Sequence, residues 1–131
     1  MSKLAILCVD DEAIILNSLL RQLESTFDDT YLYETAENAE EALEIIAELQ
    51  EESTDLLVIV SDWLMPGTKG DELLIQVHQQ FPGVVKIMLT GQADASAIDR
   101  AQAEANLHAC LPKPWNKEDL MNCIQSAIKK L

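Results

Sequence analysis

Four sets of residues in this chain carry groups that could do chemistry together: Asp10-Asp11, Asp62, Thr90 and Lys113. Carboxylates crowded at one point repel one another and must hold a proton or bind a cation. Because the set offers oxygen donors with no His or Cys beside them, it favours Mg²⁺ over zinc. The Thr90 hydroxyl and Lys113 ammonium add donors aimed at an anion. Carboxylate, Mg²⁺, hydroxyl and ammonium around one point make a phosphoryl site, in which the cations neutralise charge on equatorial oxygens. In such a site Asp62 is the nucleophile that becomes an aspartyl phosphate. Taken singly, each acid reads as a solvated strand end; their conjunction with Thr90 and Lys113 carries the inference.

For these groups to meet, separate elements must deliver them to one place. The stretch LLVIVSDWLMPGTKG, residues 56–70, holds five consecutive apolar residues, then Ser61-Asp62, then a Met-Pro-Gly break that cannot continue a strand. An unbroken apolar run suits a central strand of a parallel sheet covered on both faces. Residues 4–9, LAILCV, form its twin and end at Asp10-Asp11-Glu12. Residues 31–36 read as a weaker strand, 84–90 as a fourth ending at Thr90, and 107–112 as a fifth ending before Lys113.

Between the strands, apolar residues recur at three- and four-residue spacing, the period of amphipathic helices. Leu16, Leu19, Leu20, Leu23 and Phe27 mark the first helix. Asn38 caps the second, with Ala42, Leu43, Ile46, Ala47 and Leu49 inward. Residues 71–80 and an alanine-rich 94–105 make the third and fourth, and Asn116 caps the last. Strands alternating with helices specify a doubly wound α/β fold: a five-stranded parallel sheet, order 2-1-3-4-5, flavodoxin-like, with helices on both faces. In that order, strands 1, 3, 4 and 5 bring the chemical groups to one rim.

At 131 residues and 48% hydrophobic content, residues 1–131 read as one globular domain. No apolar run is long enough to span a bilayer, and the start lacks a signal peptide's cleavage region, so a cytoplasmic protein is expected. Cys8, Cys110 and Cys123 form no CxxC pair, and reduced thiols are expected. A net charge of −14 opposes attraction to nucleic acid or anionic lipid. The acids Glu40, Glu41, Glu44, Glu48, Glu51 and Glu52 read as a solvated helix face. His78 reads as a surface residue and His108 as a strand-edge residue, while Met65 and Met88 read as packing residues.

With Asp10-Asp11, Asp62, Thr90-Gly91 and Lys113-Pro114 each at a strand end, the chain resembles the response-regulator receiver domains of two-component signalling over essentially its whole length. The resemblance implies Mg²⁺-dependent phosphorylation of Asp62 by a histidine kinase or histidine phosphotransfer protein. It implies Mg²⁺ binding by Asp11, Asp62 and the Leu64 carbonyl, with Asp10 assisting through water. It further implies that Thr90 contacts the phosphoryl group, that Lys113 bridges it to an acid, and that the Trp63 and Gly91 amides complete the cradle. Leu64 and Gln92 stand where the family tunes hydrolysis of the acyl phosphate; Leu64 cannot orient water and Gln92 can. The expected partners are the phosphodonor, an effector domain or protein, and a homodimer formed through helix 4, strand 5 and helix 5. Self-catalysed phosphotransfer and autodephosphorylation are the only chemistry expected.

Three positions depart from the family pattern. Cys110 stands where an aromatic residue usually accompanies movement of the Thr. Lys69 stands where the loop Met-Pro-x-Met-Asp-Gly has Asp. Trp115, after Lys113-Pro114, resembles a receiver subgroup attached to larger signalling proteins. Rival readings are a phosphatase using Asp62 for turnover, a flavodoxin-like cofactor binder and a non-phosphorylated interaction module. Leu64 counts against the first, since an Asp-x-Asp acid would stand there. The second lacks a Gly/Ser/Thr-rich phosphate loop after Val9, and the intact acceptor site argues against the third.

Overall fold

The computed structural model describes residues 3–91 and 95–130. Ten elements alternate along the chain: β1 (Lys3–Val9), α1 (Ala13–Phe27), β2 (Leu32–Ala36), α2 (Ala39–Glu51), β3 (Thr54–Asp62), α3 (Gly70–Gln80), β4 (Val85–Thr90), α4 (Ala95–Ala105), β5 (Ala109–Pro112) and α5 (Lys117–Lys129). The strands form one parallel sheet in the order β2-β1-β3-β4-β5. Each boundary falls within two residues of the sequence reading. Asn38 accepts the Glu41 N–H at 2.8 Å and Asn116 the Asp119 N–H at 3.2 Å, the two caps expected. Among the described residues no helix is long and apolar enough to cross a membrane.

Strand residues point alternately to the two faces, which divides the core in two. Leu7, Val9, Ile59 and Met88 pack beneath α2, α3 and α4, together with Ala42, Ile46, Leu73, Leu74 and Ala105. Ile6, Cys8, Val58, Val60 and Leu89 face α1 and α5, meeting Leu16, Leu19, Leu23, Leu120 and Ile124. Ala47, expected inward, is exposed, because α2 rests on the sheet through Ala39, Ala42, Ile46 and Leu49. Small residues at Ala97, Ala101 and Ala105 let α4 lie close on its neighbours.

One irregularity sets the position of the rim. β1 pairs with β3 as Ala5 to Leu56, but the next residue, Ile6, pairs with Val58, leaving Leu57 as an extra residue in β3. The shift continues to Val9, which stands opposite Ser61. Without it Asp10 would exit beside Ser61; with it, Asp10 and Asp62 are the next residues on adjacent strands. On the other side Asp62 pairs with Leu89 and Thr90 with Pro112, so Thr90 and Lys113 leave the sheet one step beyond.

Candidate functional site

Asp10 and Asp62 are both buried at this rim, while Asp11 is exposed. Asp10 has no solvent exposure and is fully engaged: Oδ1 accepts the Glu12 N–H at 2.8 Å and Oδ2 accepts from Lys113 Nζ at 3.1 Å. The same Lys113 ammonium stands 3.3 Å from Asp62 Oδ1, so one cation bridges two buried acids. One carboxylate oxygen each from Asp10, Asp11 and Asp62 lies within 4.8 Å of the others. That all-oxygen cluster has the donor chemistry of a hard divalent cation site.

Burial pushes the Asp62 carboxyl above its usual range and the neighbouring Asp10 adds to this; Lys113 opposes them and Asp11 adds a smaller upward push. For Lys113, burial disfavours the charged form, but the contacts with Asp10 and Asp62 outweigh it and raise its pKa. The site therefore combines an acceptor carboxylate held at an electrostatic cost with a firmly charged ammonium against it. A cavity of about 180 Å³ opens above them, lined by Glu12, Asp62, Leu64, Gly91 and Lys113.

The structure brings Asp10, Asp11, Asp62, Leu64, Gly91 and Lys113 together as the sequence suggested, with Thr90 at the adjacent end of β4. Leu64 is 48% exposed, its side chain apolar. Gln92 lies outside the described residues. Cys110 is half-buried on β5, opposite Met88, and burial raises its thiol pKa. One expectation is corrected: the Trp63 N–H donates to the Leu89 carbonyl at 3.0 Å, continuing the β3–β4 ladder, and so is not aimed at the cavity.

Two contributors escaped the sequence reading. Gly70 packs so tightly that a Cβ there would overlap the Asp62 carbonyl oxygen and press on the Trp63 Cα, and its N–H donates to the Trp63 carbonyl at 2.8 Å. Ser61 Oγ donates to the Asp62 carbonyl at 2.9 Å. Together they fix the backbone that presents the Asp62 carboxylate. The Met-Pro-Gly break announced a turn, but nothing in it announced that Gly70 must touch Asp62.

Residues 6–125 match the response regulator receiver domain family. The hydrogenase transcriptional regulatory protein HoxA of Cupriavidus necator is 29% identical over 124 residues, 95% of this chain and 24% of that protein. The chain thus spans about a quarter of that relative's length. The signal receiver domain of an HD domain-containing protein from Pseudomonas fluorescens superposes with a TM-score of 0.87 at 30% identity, covering 98% of this chain and 96% of that one. The beryllofluoride-activated NtrC4 receiver domain dimer superposes with a TM-score of 0.81 at 29% identity, covering 96% and 97%. A five-stranded sheet of order 2-1-3-4-5, an acidic cluster at its carboxyl rim and a profile match across both lead to one conclusion: the chain belongs to the response regulator receiver domain family and is a receiver of two-component signalling.

Proposed function

We propose that Asp62 accepts a phosphoryl group from the phosphohistidine of a partner kinase or phosphotransfer protein, and that the modified domain alters its contact with an effector. The observation that carries this reading is Lys113, held between Asp10 and Asp62 at 3.1 and 3.3 Å over a cavity open to a donor. An Asp62 oxygen attacks phosphorus in line, the P–N bond breaks, and the departing imidazole nitrogen takes up a proton. Lys113 and the Thr90 hydroxyl hold the equatorial oxygens. To the Gly91 amide and, in place of that of Trp63, the Leu64 amide we assign the remaining hydrogen bonds, since both residues line the cavity.

The residues suited to hold Mg²⁺ are Asp11, Asp62 and the Leu64 carbonyl. Asp10 assists from behind through water, because its two oxygens already serve Glu12 and Lys113. When bound, the ion supplies charge neutralisation between carboxylates and phosphoryl oxygens. Attack by water on the acyl phosphate then resets the domain. The partner surface we assign to α4, β5 and α5, where a dimer of two copies would form; the NtrC4 receiver dimer supports dimerisation by analogy. We read residues 1–131 as a single receiver domain.

Mass spectrometry after treatment with acetyl phosphate and Mg²⁺ tests the assignment. One base- and hydroxylamine-labile phosphate is expected on the wild type and none on Asp62→Asn. A phosphate that persists in that variant defeats the reading. Lys113→Met is expected to slow phosphorylation about a hundredfold, the scale of losing one preorganised donor to a developing charge.

A further inference from the structure

Trp63 is the residue after Asp62, and both its backbone groups are engaged: its N–H donates to Leu89 on β4 at 3.0 Å, and its carbonyl accepts the Gly70 N–H, at the start of α3, at 2.8 Å. Successive residues of an extended chain point in opposite directions, so the ring leaves the rim and packs on the face covered by α2, α3 and α4. There its indole N–H donates to Asp71 Oδ1 at 3.1 Å. The other oxygen of that buried carboxylate, Oδ2, lies 3.6 Å from the Arg100 guanidinium on α4. Lys69, the loop residue that departs from the family pattern, stands 4.9 Å over the ring centroid.

We propose that Trp63, Asp71 and Arg100 form a coupling that reports the state of Asp62 to α4, on the reading of Asp62 as phosphoacceptor. The chain of contacts has no slack at its first end, because Trp63 is bonded to β4 and α3 through its backbone and cannot move apart from the tip of β3. Its second end is adaptable. Arg100 is half exposed and is shared with Glu104 at 2.9 Å and Glu72 at 3.8 Å besides Asp71. When the tip of β3 shifts, Asp71 follows the indole, and Arg100 passes to Glu72 and Glu104 without losing a carboxylate partner. Two arrangements of one cation among three acids make a switch rather than a continuous deformation. Cys110 lacks the bulk to carry such a signal along β5, whereas this path runs along the α3–α4 side of Asp62.

The coupling must be reciprocal: whatever phosphorylation does to α4, loosening α4 from Asp71 does to ligand affinity at Asp62. Beryllofluoride with Mg²⁺ serves as the phosphoryl probe, with hydrogen exchange of residues 95–105 as one readout and probe affinity as the other. In the wild type, the probe is expected to change α4 exchange severalfold. Arg100→Ala, Asp71→Asn and Trp63→Phe should each lose most of that response and shift probe affinity about fivefold or more, the usual scale of such couplings. Asp71→Asn keeps an acceptor for the indole while removing the charge that holds Arg100, and Trp63→Phe keeps the ring while removing the N–H, so the two links are read separately. Glu104→Gln removes one of the two acids that receive Arg100 and leaves Asp71 and Glu72 in place, so it should lower the response by less than Asp71→Asn does. A wild-type response with unchanged affinity in all three variants would overturn the coupling alone. Failure of the wild type to bind the probe would overturn the phosphoacceptor reading as well.

Discussion

At the scale of single residues, the site is built at the expense of stability. Asp62 has a raised pKa in the folded chain, so its contribution favours folding below its unfolded value of 3.8 and is lost as pH rises through the folded value. At pH 7 the ionised carboxylate therefore weighs against the fold. Asp62→Asn is expected to raise the thermal midpoint at pH 7, and the gain should shrink toward zero as the pH is lowered past 3.8; calorimetry of both proteins across that range checks it. A gain that grows in acid would contradict the assigned shift. Gly70 makes the opposite kind of demand. A methyl group there meets the backbone of Asp62 and Trp63, which cannot swing aside as a side chain would. Gly70→Ala should destabilise by about 2 kcal/mol or more, the scale of forced overpacking. It should also slow phosphorylation, because Asp62 must move with its carbonyl. Urea titration separates the two effects.

At the scale of elements, the sequence carried the order, type and approximate bounds of all ten segments, because apolar runs and helical stripes are local patterns. It also carried the rim, since Asp10, Asp62, Thr90 and Lys113 follow directly from where strands end. The extra residue at Leu57 was not legible, for nothing in LLVIV distinguishes a bulged strand from a regular one, yet it decides whether Ser61 or Asp62 stands beside Asp10. Nor was Lys86 legible as an interior residue. Read within VVKIMLT, it lies 1% exposed on β4, donating to His78 Nδ1 at 2.8 Å and to the Pro82 carbonyl at 3.3 Å. His78 is thereby half-buried at the end of α3 rather than a free surface residue; burial and Lys86 both lower its pKa, which keeps an acceptor nitrogen available. Burial pulls Lys86 down to about 8. A depressed lysine gives stability that is present above its unfolded value of 10.5 and lost as pH falls to the folded value. Lys86→Met is thus expected to be more stable than the wild type at pH 7, by roughly 1–3 kcal/mol on the scale of 1.36 kcal/mol per pKa unit. The advantage should fade between pH 8 and 10.5, which denaturation of the pair at stepped pH would show.

At the scale of the whole molecule, a net charge of −14 makes the fold self-repelling, and the rim concentrates that repulsion where three carboxylates meet. Two kinds of cation relieve it differently. Sodium screens exposed charges at a distance and has little access to buried ones, so added NaCl should stabilise the wild type and every rim variant alike. A divalent ion held as proposed by Asp11, Asp62 and the Leu64 carbonyl would act by binding only the folded state, contributing RT ln(1 + [L]/Kd), about 2.7 kcal/mol at a hundred times Kd. Mg²⁺ should therefore raise the urea midpoint of the wild type beyond NaCl at matched ionic strength, and a chelator should remove that increment. Asp11→Asn provides the decisive comparison: Asp11 is exposed and Lys113 donates to Asp10 instead, so the variant folds but offers the cation a neutral amide oxygen in place of an anionic one. Its response to Mg²⁺ should fall to that of NaCl. An increment surviving in Asp11→Asn would place the cation elsewhere on this acidic surface.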